Sequence, residues 1–217
     1  MQIRPASDGS LLVSFGNAIS PDVHQQVERL MNALADLPAG IRNLHPAFAS
    51  VLIDFDPRRQ SHRELEALVR ERMAAPPAAA TRESRLVEIP VCYGGAEGPD
   101  LGEVARHAGL EPARVVELHA AVEYRVYFLG FSPGFPYLGG MPEALATPRL
   151  ATPRKRVPTG SVAIGGAQTG IYPMESPGGW RLIGRTSLPL FDTTKDPPAL
   201  LRIGDRVRFK PVEELPR

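Results

Sequence analysis

Between Phe131 and Asp192 the chain sets a proline or glycine every few residues: "FSPGFPYLGGMPEALATPRLATPRKRVPTGSVAIGGAQTGIYPMESPGGWRLIGRTSLPLFD". Proline removes a backbone donor and fixes φ, and glycine weakens helix and strand interiors, so no helix of ordinary length fits this block. It is expected to form short strands joined by fixed turns. Its opening, "SPGFPYLGG" at Ser132–Gly140, surrounds Phe135, Tyr137 and Leu138 with glycines and prolines. A helix would break there and a central strand would lose ladder bonds, so the segment reads as a loop carrying aromatic rings. The chain as a whole leans the same way, since 23 prolines in 217 residues is about twice the usual share of roughly 5%.

Upstream the punctuation is different. "DGSLLVSFG" reads as a strand after an Asp-Gly turn. In "SPDVHQQVERLMNAL", Ser20 is an N-cap and Pro21 a first helical residue, and Val23, Val27, Leu30, Met31 and Leu34 share one helical face. "SVLIDFD" alternates as a strand, and Ser61 with Glu64 forms a capping box opening "SHRELEALVRERM". These elements predict a small α+β domain over residues 1–75. "AAPPAAATRES" at Ala74–Ser84 has no periodicity and two adjacent prolines, which places a linker at 76–84.

Residues 85–217 read as a β-barrel domain, so the fold class is α+β. "RLVEIPVCY", "EYRVYFLGF", "SVAIGG", "GWRLIGRT", "LPLFD" and "DRVRFKP" are its expected strands. Two short helices interrupt them: "LGEVARHAG", with Asp100 and Glu103 as a box-like start and Gly109 as its stop, and "PARVVELHAA".

Charge and cysteine content exclude several functions. The net charge is +1, with twelve basic and sixteen acidic residues up to residue 120 and thirteen basic and eight acidic after it. That is too weak for a nucleic-acid stripe but suits an anion pocket in the second half. No apolar run reaches the ~20 residues of a membrane span, and "MQIRPASDGS" lacks a signal peptide's apolar core, so a cytoplasmic protein is expected. Cys92, the only cysteine, reads as a small buried residue, and no clustered metal-ligand spacing occurs. Phosphate-loop, HExxH and GxSxG motifs are also missing, so the chain is expected to supply only part of an active site.

The candidate site residues lie mostly in the dense block. Arg149, Arg154 and Arg185 offer planar forks for a carboxylate or phosphate; Gln168, Thr169, Tyr172 and Ser176 offer directional hydrogen bonds; Trp180 offers a flat wall. Each also has a structural reading: the arginines as turn staples, Trp180 and His119 as core residues. Gln168 and Thr169 are read as lying in a tight turn flanked by glycines.

"LGFSPGFPYLGGMP", "ATPRLATPRKRVPTGSVAIGGAQTGIYPMESPGGWRLIGRT" and "LLRIGDRVRFKPV" closely resemble the family containing the B subunit of bacterial 5-oxoprolinase. It is also known as the sporulation kinase inhibitor or allophanate hydrolase subunit 1 family. The resemblance implies a cyclophilin-like β-barrel in the C-terminal part and an enzyme working with its A and C subunits, which together hydrolyse 5-oxoproline to glutamate using ATP. On that footing His119, Arg154 and Gln168 are the candidate catalytic residues, and Arg149, Thr169, Tyr172, Ser176, Trp180 and Arg185 bind substrate. Two other roles come with the family names: inhibition of a histidine kinase and hydrolysis of a urea-derived substrate. Prolyl isomerase activity, by contrast, rests on fold analogy alone. The aromatics of Ser132–Gly140 are expected to form a lid or an exposed ledge facing a partner.

Overall fold

The structure is a computed structural model that describes residues 1–76 and 84–215. Its contacts divide the chain into two compact units, Met1–Glu83 and Ser84–Arg217. Most of the linker expected at 76–84 lies outside the described residues.

The first unit runs β1 (Gln2–Ser7), β2 (Ser10–Ser14), α1 (Pro21–Ala33), β3 (Ile41–Pro46), β4 (Ser50–Phe55) and α2 (His62–Ala74). Its antiparallel sheet has the order β1-β2-β4-β3. Alternation sends Leu11 and Val13 of β2 and Val51, Ile53 and Phe55 of β4 into one core with Val27 and Leu30 of α1 and Leu65 and Val69 of α2. Both helices start as their sequences dictate. The Ser20 side chain accepts from the Val23 N–H, and Ser61 and Glu64 cap each other's backbone N–H groups.

The second unit begins with β5 (Leu86–Tyr93), α3 (Leu101–Ala108), α4 (Pro112–Ala120), β6 (Tyr124–Leu129) and β7 (Pro136–Gly139). After one 3₁₀ turn at Glu143–Leu145 come β8 (Arg154–Val157), β9 (Ser161–Gly165), β10 (Gln168–Ile171), β11 (Ser176–Gly178), β12 (Arg181–Arg185) and β13 (Arg206–Pro211). Seven strands close a barrel in the order β10-β7-β6-β13-β5-β12-β9, with β13 parallel to β5. Strands β8 and β11 form a separate two-stranded ribbon. Ile89, Val126, Leu138, Ile164, Ile183 and Phe209 of the barrel share a core with Leu101 and Val104 of α3 and Val115 of α4. Gly109 ends α3 in the left-handed conformation, as its position implies.

The α+β class with a barrel in the second unit is therefore what the chain adopts, but several local expectations need correction. "SPGFPYLGG" is not all loop, because Pro136–Gly139 is a barrel strand. Pro136 stands at its first residue, where a missing donor is tolerated. "LPLFD" forms no strand and holds only an isolated bridge, Phe191 to Ala199. Gln168 and Thr169 are strand residues, since the β9–β10 turn is Gly166-Ala167. Asp100 and Glu103 make no capping box at α3; both side chains bond arginines of later strands instead. Cys92 is half-buried, its thiol pointing to the Glu213 carbonyl.

Candidate functional site

The wall formed by β9 and β10 packs against apolar clusters on both faces. Val162 and Ile164 point into the barrel core, while Ala163, between them, joins an outer cluster of Phe135, Val157, Tyr172, Trp180 and Leu182. Glycines admit the rings on this outer face. A Cβ at Gly165 would sit 2.5 Å from Trp180, and one at Gly170 would sit 2.9 Å from Phe135. Phe135 meets Tyr172 edge-on at 5.2 Å and Trp180 at 5.6 Å. Phe135 is thus buried, which corrects the exposed-ledge reading; the exposed ring is Phe131, one residue before the segment.

The β8–β11 ribbon adds Val157 to this cluster and brings two polar side chains to it. Arg154 pairs with Gly178 in the ribbon, and the Tyr172 hydroxyl rests against Gly178. The Arg154 guanidinium is half spoken for: Nη2 donates to Asp100 Oδ1 at 2.7 Å, while Nη1 is buried without a partner. The other Asp100 oxygen accepts the Leu182 N–H at 2.7 Å, so this buried carboxylate ties the arginine to β12. Ser176 Oγ is likewise buried and unpartnered. Arg149 lies over the Trp180 ring at 5.6 Å, a cation–π contact. Burial raises the Tyr172 pKa, and the Trp180 backbone N–H, Arg149 and Arg154 only partly offset that effect. The phenol therefore stays protonated and can donate.

Of the expected site residues, the structure brings together Arg149, Arg154, Tyr172, Ser176 and Trp180. Gln168 stands opposite Gly165, on the face that carries Trp180, and is half-buried. Arg185 is a staple whose guanidinium bonds the Thr159 carbonyl at 2.8 Å and Glu97 at 3.3 Å. Thr169 faces the opposite way from Gln168, into the barrel, where it meets His119. Sequence reasoning misses Asp100, because an acidic residue just before a helix looks like a cap until a half-buried arginine is found beside it.

His119 is fully buried, stacked on Phe209 with ring centroids 4.5 Å apart. Its hydrogen bonds run in one direction. Thr169 Oγ1 donates to the Ala163 carbonyl and so accepts from His119 Nε2 at 2.9 Å, which leaves Nδ1 to accept from the Tyr93 hydroxyl at 2.8 Å. Every polar atom of the ring is used and none reaches solvent. The expectation of a catalytic His119 is therefore corrected: it is a core residue held in one tautomer.

Desolvation lowers the His119 pKa from 6.5 to about 3. The unfolded chain thus binds a proton below pH 6.5 that the folded chain refuses, so this contribution to stability is complete above pH 6.5 and is lost as pH falls towards 3. The slope is about 1.4 kcal/mol per pH unit. Urea titrations between pH 6.5 and 4 should show this loss, and His119→Gln should flatten it. Parallel profiles for the two proteins would mean that His119 titrates normally.

Among the described residues no group of potential metal ligands occurs, and no helix is long and apolar enough to cross a membrane. The family described as carboxyltransferase domain, subdomain C and D, matches residues 1–201. The chain is 52% identical over 191 residues to the 5-oxoprolinase B subunit of Escherichia coli O157:H7, covering 88% of this chain and 86% of that one. It is 42% identical to the 5-oxoprolinase B subunit of Bacillus subtilis strain 168, covering 98% and 93%. The crystal structure of TTHA0988 superposes with a TM-score of 0.85 at 40% identity; it covers the whole of this chain, which spans 41% of that longer one. With its relatives matched over most of both chains and its barrel shared with a solved structure, the chain belongs to the 5-oxoprolinase B-subunit family of carboxyltransferase-type domains.

Proposed function

We propose that this chain is the B subunit of an ATP-dependent 5-oxoprolinase and acts with the A and C subunits to convert 5-oxoproline to L-glutamate. The observation that carries the reading is the convergence of Arg149 and Arg154 on Tyr172 and Trp180, in a chain 52% identical to a protein of that name. A lactam is resonance-stabilised. Phosphorylating its oxygen creates a leaving group that water can displace, and the charge that develops needs fixed cationic donors. This chain's contribution is to hold the substrate beside that chemistry through Arg154 and Tyr172, with Arg149, Ser176 and Trp180 around them and Gln168 at the edge. ATP is assigned to the partner subunits, because this sequence has no phosphate-binding loop motif.

The partner contact is assigned to Phe131, which is 63% exposed and holds φ at +67°. It rims a shallow hollow of about 350 Å³ lined by Leu129–Gly134. A bulky side chain in the left-handed region is strained, and the ring, which meets Phe135 and Tyr172 only edge-on at 5.5 and 6.3 Å, leaves most of its surface uncovered in the isolated chain.

Mixed with the matching A and C subunits, the purified chain should support ATP-dependent glutamate release, and alone it should neither hydrolyse ATP nor open 5-oxoproline. Robust turnover by the chain alone, or a mixture of the other two subunits that is equally active without it, contradicts the subunit role.

A further inference from the structure

Arg154 Nη1 and Ser176 Oγ are both buried and unpartnered, and both belong to the β8–β11 ribbon. Leaving a donor of this kind unpaired is unfavourable, more so for a guanidinium, and native structures keep few such groups. The hydroxyl beside them is of the same kind: Tyr172 accepts the Trp180 N–H, so its own proton is free to point away. Arg154 Nη1, Ser176 Oγ and the Tyr172 hydroxyl each keep a proton to donate, a set that suits an anion. Asp100 occupies one edge of the Arg154 fork and leaves the other nitrogen for a second oxygen.

We infer that this ribbon closes over a small monocarboxylate, held by Arg154 Nη1 and Ser176 Oγ, with Tyr172 as third donor and Trp180 as the flat wall against the body of the acid. The inference rests on the subunit reading and narrows it, because it puts the substrate's carboxylate, and not its lactam, on Arg154. A five-membered lactam acid suits these walls in chemistry, since Trp180 and Tyr172 present apolar ring surface beside the donors. The ribbon pairs only with itself and forms no ladder with the barrel. Lifting it opens the site without breaking barrel pairing.

Trp180 is the only tryptophan, so its fluorescence reports on this site without turnover. Titrating the isolated chain with L-5-oxoproline should change that signal saturably, whereas 2-pyrrolidone, the same ring without the carboxylate, should not. Arg154→Lys keeps a cation for Asp100 but lacks the second nitrogen, and should weaken binding at least about tenfold. Ser176→Ala leaves the Asp100–Arg154 pair intact and should weaken it about threefold or more. The site is overturned by an equal response to 2-pyrrolidone, by unchanged affinity in both variants, or by no saturable change at millimolar acid. Failure of the subunit reading looks different: the Trp180 response persists while the mixture with the A and C subunits releases no glutamate.

Discussion

Replacing Asp100 with alanine should destabilise the second unit by about 3 kcal/mol, the low end for breaking a buried pair, because Arg154 is partly exposed. Two losses combine in this substitution. Arg154 is left half-buried without its counterion, and the Leu182 N–H loses its acceptor. The midpoint of thermal unfolding should fall by roughly 6–12 °C at about 2–4 °C per kcal/mol. Asp100→Asn keeps an acceptor for Leu182 and removes only the charge, so it should fall between alanine and the native chain. If alanine shifts the midpoint by less than about 2 °C, the carboxylate is not the tie between α3, the ribbon and β12 that its contacts describe.

Two phenylalanines four residues apart should respond in opposite ways to the same change. Phe135→Asp buries a carboxylate among Tyr172, Trp180 and Tyr137 and should prevent the second unit from folding. Phe131→Asp should leave folding intact and weaken association with the C subunit by about 30-fold or more, as expected for an exposed aromatic anchor worth at least ~2 kcal/mol. Phe131→Gly sharpens the test. It relieves the positive φ but also removes the ring's edge-on contacts with Phe135 and Tyr172, so it should leave thermal stability nearly unchanged while still weakening association. Size-exclusion chromatography of each variant with the C subunit, beside thermal melts, separates the two effects. If Phe131→Asp co-elutes like the native chain, the partner docks elsewhere.

How far the sequence is legible depends on the range of the interaction. The caps at Ser20 and Ser61 and the stop at Gly109 are local, and each is readable from a few residues. The strand at Pro136–Gly139 is not, because the rule against proline in a central strand does not apply at a strand's first residue. Nor is the burial of Phe135, which depends on Gly170 across the β7–β10 ladder, where the absence of a side chain opens the space. In the site, residue types chosen for anion chemistry do converge at Arg154, Tyr172, Ser176 and Trp180. His119 and Thr169 do not join them, because strand alternation turns Thr169 inward, a matter of register that the short segment between glycines does not reveal. Asp100 escapes for a related reason: its partner lies 54 residues further along the chain.

The parallel pairing of β13 with β5 also sets the order in which this protein can come into being. The two strands that close the barrel are far apart in sequence, and the pair that pins their ends, Arg85 with Asp205, spans 120 residues. During synthesis α3, α4 and the hairpins can form as they emerge, but the wall stays open until residues near 206–211 leave the ribosome. Until then the edge of β5 is an unpaired template for other chains, and the long loop to be closed makes the final step slow. Chaperone demand should therefore fall late, at the last strand, and a chain truncated before Arg206 should aggregate.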